Sequence, residues 1–190
     1  MLHFYHTLTI RFWSGDNKRI RTGGNYMSSQ RVNARIKWTC FIIYSTFLFL
    51  VLFCRRIPTG LDLEQYPYWS RILDNINLIP LDTISEQVHD IFSDSGYYER
   101  LAILNLSANI IMFIPMGFFM PALWSKLFRF LPCIITGVLM IISVEIVQLF
   151  TLLGSFDIDD ILLNLAGIVI GYLLLRGYQF LRIWSKKEEH

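Results

Sequence analysis

Residues 130–153 read FLPCIITGVLMIISVEIVQLFTLL, an apolar run whose single acidic residue is Glu145. A helix needs about 20 mostly apolar residues to cross the hydrocarbon core of a bilayer. Further apolar runs approach that length at residues 38–54, 101–123 and 161–181. Only 17% of the residues are charged, against roughly 25% in soluble domains. The sequence therefore predicts an all-α integral membrane protein, a bundle of about four transmembrane helices.

One long connection, residues 57–100, separates the first predicted span from the second. It contains NINLIPLDTI at residues 75–84 and then SEQVHDIFSDSG at residues 85–96. Ile84, at the end of the first segment, and Val88 and Ile91 in the second follow helical spacing. We therefore expect this loop to carry a short amphipathic helix that lies on the membrane surface.

Lysine and arginine are distributed unequally around the spans. They are frequent in residues 1–37, in the connection 124–129 and in residues 176–190, whereas most acidic residues lie in the loop 57–100. Positive charge in short loops marks the cytoplasmic side. We therefore predict a multi-pass protein of the cell membrane with both termini cytoplasmic and the loop extracytoplasmic.

The predicted spans divide the chain into three parts. Residues 1–37 form a basic cytoplasmic tail, in which Met27 is an alternative start. Residues 38–182 form the transmembrane domain, and residues 183–190 form a second cytoplasmic tail.

Several classes of ligand are not indicated. Cys40, Cys54 and Cys133 stand singly in or beside apolar runs, and neither they nor the histidines have the spacing of metal ligands. The net charge is only +2, without a basic stripe interleaved with aromatic residues. We expect no metal, no cofactor and no nucleic acid. Membrane lipids are the expected partners, and a homo-oligomer is left open.

Polar side chains recur toward one end of three predicted spans. An ionisable group within a span costs about 2.5–3.5 kcal/mol on insertion scales, so it is treated as a functional-site hypothesis. The second and fourth spans run inward and the third runs outward, which places these positions at similar depths in the outer half of the bundle. The predicted ligand-binding residues are Asn105, Asn109, Glu145, Gln148, Asp157, Asp160 and Asn164. The simpler alternative is interhelical hydrogen bonding, worth about 0.6–2 kcal/mol per contact.

Other residues are predicted to shape the bundle. Gly167 and Gly171 have the GxxxG spacing that allows two helix backbones to approach closely. Pro115 has no amide hydrogen, so we expect the second span to kink or break there, with Gly117 adding local freedom. Pro80, at the end of NLIP, is also assigned a structural role.

Four segments in order resemble the VanZ-like family. They are NLIP at 77–80, NIIMFIPMGFFMP at 109–121, SVEIVQ at 143–148 and FDIDDILLNLAGIVIGY at 156–172. The resemblance extends over about residues 38–176. It implies a multi-pass membrane protein, linked in some members to lowered susceptibility to teicoplanin or related lipoglycopeptides.

Three functions are compared. The leading hypothesis is a non-catalytic protein that binds a lipid-linked cell-envelope component or a lipoglycopeptide at an acidic outer-leaflet pocket, and so lowers teicoplanin susceptibility. The first alternative is an intramembrane enzyme that uses Glu145 with Asp157 or Asp160 as acid and base on a lipid-linked cell-wall intermediate. The predicted outer mouth lacks basic residues to hold a pyrophosphate, and no catalytic residue is assigned. The second alternative is a small lipid or proton-coupled transporter.

Overall fold

The computed structural model describes residues 25–54, 67–93 and 96–188. Most of the predicted N-terminal tail and part of the predicted loop therefore lie outside the described residues. In chain order the elements are α1 (Asn25–Phe49) with a π-helical turn at Leu50–Cys54, α2 (Tyr68–Asp74), β1 (Ile76–Asn77), α3 (Asp82–Phe92), α4 (Tyr97–Leu123), a 3-10 turn at Ser125–Phe128, α5 (Phe130–Phe150), β2 (Phe156–Asp157) and α6 (Ile158–Glu188).

Four of the helices are long and apolar enough to cross a membrane. The spanning segments are Ala34–Cys54, Tyr97–Leu123, Phe130–Phe150 and Ile158–Arg182. The predicted class, an all-α membrane protein with four spans, is confirmed. The orientation of the helices across the membrane stays a prediction.

The helix ends differ by a few residues from the predicted spans. Helix α4 already begins at Tyr97. Its first turn contains Glu99, and a carboxylate at that end interacts favourably with the helix dipole. Helix α5 ends at Phe150, because Leu152 adopts a positive φ of 54° and the amides of Leu153 and Gly154 both bond back to the Gln148 carbonyl. That arrangement satisfies a terminal carbonyl and stops the helix.

Helices α4 and α6 run in the same direction and pack closely against each other. A Cβ atom added at Gly167 would overlap the carbonyl oxygen of Ile110, and one added at Gly171 would overlap that of Ile114. A Cβ at Gly117 would overlap the carbonyl oxygen of Ile168. The glycine spacing seen in the sequence thus lies where the two backbones touch.

Helix α4 continues without interruption through Pro115. The predicted break is therefore absent. Proline removes only the one amide that would bond to the carbonyl of Ile111. Ile114, just before the proline, and Gly117, two residues after it, contact α6 through backbone atoms, and this packing supports the helix across the missing bond.

Apolar side chains from all four spanning helices meet in one core. Tyr44 of α1 donates a hydrogen bond to the Met112 carbonyl oxygen at 2.7 Å, and its ring contacts that of Phe119. The buried members of the core are Leu48, Phe113, Met116, Met120, Cys133, Ile141, Ile168 and Tyr172. The core therefore ties α1 to the other three spans through side chains.

The loop between α1 and α4 is joined to the start of α6 by two short parallel strands. Ile76 pairs with Phe156 and Asn77 pairs with Asp157. Helix α3, the helix predicted in this loop, follows and packs on α4. We call this side of the bundle, where α4 begins, α5 ends and α6 begins, the loop end.

Candidate functional site

Five polar residues lie among the spanning helices toward the loop end. We call them the polar layer, which consists of Asn109, Glu145, Gln148, Asp160 and Asn164. Glu145, Gln148 and Asn164 are only 3%, 4% and 3% exposed, as little as the apolar core. At 1.5 Å per residue, Glu145 and Asn164 lie roughly 8–9 Å from the loop ends of α5 and α6. These groups must therefore find hydrogen-bond partners inside the protein or in a ligand.

One direct hydrogen bond within the polar layer joins α4 to α6. The side-chain amide of Asn109 donates from Nδ2 to Oδ1 of Asp160. Ile110, the next residue of α4, meets Gly167 two turns further along α6. The close backbone approach therefore brings the amide and the carboxylate within bonding distance.

On α5, Gln148 points toward the end of the first span. Its Nε2 donates to the carbonyl oxygen of Leu52 at 3.0 Å. The last carbonyls of a helix have no partner within the helix, so this glutamine satisfies one of them. Glu145 lies one turn earlier on the same face of α5 and is equally buried.

Asn164 provides an unused acceptor in the polar layer. Among the described residues, no donor reaches its buried Oδ1 atom. Leaving a buried polar atom without a bond costs about 1–3 kcal/mol. Such an atom is rare in native proteins and points to a group that the protein itself does not supply.

A second acidic cluster lies next to the polar layer, where the loop meets α6. We call it the aspartate clamp, formed by Asn77, Thr83, Asp157 and Asp159. Asp157 accepts the Asp159 amide at 2.8 Å on one oxygen and the Thr83 hydroxyl at 2.6 Å on the other. Asn77 donates from Nδ2 to the Thr83 hydroxyl oxygen at 3.0 Å. Both oxygens of Asp157 are therefore used in hydrogen bonds within the protein, one to the start of α3 and one to the start of α6.

Asp159 is fully buried and binds the start of α3. Its two oxygens accept the amides of Leu81 at 2.6 Å and Ile84 at 3.0 Å. The position before α3 is occupied by Leu81, which has a positive φ of 67° and provides no side-chain cap. Asp159 thus supplies from α6 the cap that most helices take from their own sequence.

The structure separates the residues that the sequence grouped. Asn109 and Asp160 are in contact, and Glu145, Gln148 and Asn164 are buried on α5 and α6. Asp157 belongs to the aspartate clamp, and Asn105 lies exposed on α4, one turn closer to the loop end than Asn109.

The predicted ligand-binding residues did not include Asp159, although it is the most buried of these acids. The sequence contains no clear signal for this role, because Asp82 and Thr83 are themselves residues that commonly cap helices, and only the structure shows that α3 already begins at Asp82, with Leu81 at the cap position. Such a helix start requires a cap from elsewhere in the chain.

Four apolar spans, a buried polar layer and a loop fastened to the last span define a polytopic helical membrane protein. The family model described as VanZ/LLP1 matches residues 41–182, a range that includes both the polar layer and the aspartate clamp. The chain therefore belongs to the VanZ/LLP1 family. In comparisons with curated proteins and with solved structures, nothing matches the chain.

Proposed function

We propose that this protein is a non-catalytic membrane protein whose polar layer binds the head group of an amphiphile. The ligand is a lipid-linked cell-envelope component or a lipid-tailed glycopeptide of the teicoplanin type. The observation that supports this most directly is the unused Oδ1 acceptor of Asn164, buried in a bundle that also buries the carboxylate of Glu145. Polar groups at membrane depth commonly serve ligands, ions or protons.

The hydrogen bonds of the polar layer favour a head group that donates. Asn109 uses its Nδ2 on Asp160, and Gln148 uses its Nε2 on the Leu52 carbonyl. The Oδ1 of Asn164 is an acceptor, and the carboxylates of Glu145 and Asp160 are acceptors when ionised. An ammonium or a cluster of hydroxyl and amide donors suits such a site, because charge-assisted hydrogen bonds are the strong ones. Because ionised carboxylates repel phosphate, a lipid-linked component would bind through the hydroxyl, amide or ammonium donors of its head group and not through a phosphate.

The tail of the amphiphile would lie against the apolar surface of the spans. Large hydrophobic side chains on the outside of α5 and α6 remain exposed, among them Leu139, Leu173 and Leu174. An acyl tail placed there takes part in the same hydrophobic environment as the bilayer. Holding a lipid-tailed antibiotic, or the envelope component it targets, would lower the effective concentration of drug on its target.

The acid/base enzyme is the less favoured reading of the same residues. Asp157, one of its two candidate partners for Glu145, already accepts a bond on each oxygen. Removing those bonds for catalysis would also loosen the aspartate clamp. Asp160 with Glu145 is the pair that remains for this alternative.

The proposal is tested by antibiotic susceptibility in a sensitive Gram-positive host. Strains express the wild type, Glu145→Gln or the control Glu86→Gln, with membrane levels matched by immunoblot. Glu86 is an exposed residue of α3 outside both clusters, so its variant removes the same charge without touching the polar layer. We expect wild type and Glu86→Gln to protect against teicoplanin but not vancomycin, and Glu145→Gln to lose the protection.

Two results would count against the proposal. If Glu145→Gln protected as well as the wild type, the carboxylate of Glu145 would not be needed for binding. No teicoplanin protection by any strain would reject the antibiotic as ligand, and lipids that copurify with wild type in native mass spectrometry would then be compared with those of Glu145→Gln. Identical lipid profiles would reject the polar layer as a binding site for any envelope amphiphile.

A further inference from the structure

The loop exposes a group of large apolar side chains beside the aspartate clamp. We call it the apolar tip, formed by Trp69 and Leu73 on α2 and by Leu78, Ile79 and Leu81 in the turn before α3. Trp69 and Ile79 are 65% and 64% exposed, and Leu73 is 69% exposed. Clustered exposure of this kind marks a contact surface, because scattered single residues are the norm on a protein facing water.

The turn that carries the apolar tip is held firmly. The amide of Ile79 bonds to Oδ1 of Asn77 at 3.1 Å, and the amide of Leu81 bonds to Asp159 at 2.6 Å. Leu81 has a positive φ of 67°, a conformation that glycine or asparagine adopts much more readily than leucine. A strained leucine held in place by a buried carboxylate presents its side chain outward in a fixed position.

The same bonds fix the height of the apolar tip relative to the spans. The hydroxyl of Tyr68 donates to the carbonyl oxygen of Phe150, the last residue of α5, at 2.6 Å. Leu81 is bonded to Asp159, the second residue of α6. Both parts of the tip therefore lie at the level where two spans end, which is the boundary between hydrocarbon and water.

The exposed apolar surface continues from the apolar tip onto a spanning helix. In the last turn of α5, beside Tyr68, Val147 is 47% exposed and Phe150 is 50% exposed. A surface that is apolar on both the tip and the adjoining span is suited to lipid, which already surrounds the span. Tryptophan at this level is typical of the membrane interface.

We propose that the apolar tip inserts into the leaflet at the loop end and anchors the loop in the lipid. The membrane contact of the loop then differs from the one that periodicity suggested. Helix α3 packs on α4, and Ile84 and Ile91 on its apolar face are half-buried. Part of this apolar face therefore contacts protein and not lipid. The anchor is the rigid turn before α3. This inference stands whether or not the polar layer binds a ligand.

The test uses the full chain in phosphatidylcholine nanodiscs. Cys40, Cys54 and Cys133 are replaced by alanine, and one new cysteine carries an environment-sensitive nitrobenzoxadiazole dye. The dye is placed by Ile79→Cys in the apolar tip or, as control, by Glu86→Cys on the exposed side of α3. Its quenching by nitroxide on lipid acyl chains is compared with its quenching by aqueous iodide.

We expect acyl-chain nitroxide to quench the dye at position 79 several-fold more than at position 86, and iodide to show the opposite order. Equal iodide quenching at both positions, without lipid quenching at 79, would overturn the proposal. Protection at 79 from both quenchers would also overturn it, because a second protein surface would then cover the tip. If Ile79→Cys fails to reconstitute, Leu78→Cys gives the same comparison.

Discussion

The polar layer and the aspartate clamp are neighbours built from the same types of residue, yet they use them differently. In the clamp, each oxygen of Asp157 and Asp159 accepts a bond from an amide or a hydroxyl of the protein. In the layer, the Oδ1 of Asn164 is buried with no donor from the described residues. The number of acidic residues therefore does not distinguish a structural cluster from a binding site. The distinction lies in whether each buried polar atom has a hydrogen-bond partner within the protein.

The largest expected effect concerns the aspartate clamp. Asp159→Ala removes the acceptor of two amides, those of Leu81 and Ile84, and each buried donor left unpaired costs about 1–3 kcal/mol. We expect the free energy of unfolding to fall by about 2–6 kcal/mol, measured by steric trapping in bicelles. Asp82→Ala is the matched control, because Asp82 is an exposed acid in the first turn of α3, the helix that Asp159 caps, where charge contributes about 0.3–1 kcal/mol. Equal losses in the two variants would show that Asp159 is not a clamp.

The next effect concerns the close contact between α4 and α6 beside the polar layer. Gly167→Ala places a Cβ on the carbonyl oxygen of Ile110, which forces α4 away from α6. We expect a loss of about 1–3 kcal/mol, typical of overpacking, together with a weaker Asn109–Asp160 contact. Gly177→Ala on the same helix has no atom within 4 Å of the new Cβ. That control should gain about 0.5–1 kcal/mol, because alanine favours a helix. The contact between α4 and α6 would be looser than the structure indicates if both variants behaved alike.

A smaller effect of opposite sign is expected in the polar layer. Asn164→Leu replaces an amide that has an unused acceptor with an apolar side chain of similar size. Because the desolvation penalty of that acceptor disappears, the free energy of unfolding should rise by about 1 kcal/mol. The proposed ligand binding should be lost. The measurements are the free energy of unfolding and teicoplanin protection on the same membranes. A clear loss of stability would mean that Asn164 is a structural residue like those of the aspartate clamp.

The smallest effect concerns the strained turn of the apolar tip. Leu81→Asn and Leu73→Asn each replace an exposed leucine of the tip with asparagine, so both lose a similar apolar contact. Only position 81 has a positive φ, which asparagine tolerates better than leucine, whereas the backbone at position 73 is helical. The free energy of unfolding of Leu81→Asn should therefore exceed that of Leu73→Asn by up to about 1 kcal/mol, measured by differential thermal unfolding in nanodiscs. Equal stability of the two variants would show that no backbone strain is relieved at position 81.

Part of the candidate site could be predicted from sequence, and the limits have a physical cause. From topology alone, Asn109 was expected at the same depth as Glu145, with Asp160 in the same outer half of the bundle. The hydrogen bond that the structure gives Asn109 is to Asp160. Asp157 and Asp160 were grouped together, although one bonds to Thr83 and the other to Asn109. The partners of adjacent aspartates lie on different helices, and no local pattern states which side chain faces which helix.

The sequence by itself determined the membrane class, the four spans, the glycine spacing and the family, because apolar runs and motifs are properties of consecutive residues. Only the tertiary structure decided that α4 runs unbroken through Pro115, that Asp159 caps α3, and that the turn around Ile79 is exposed at the level of the span ends. Each of these depends on contacts between residues far apart in the chain. Such contacts form only when the helices pack against one another, since each span can insert into the bilayer as a separate helix before it meets the others.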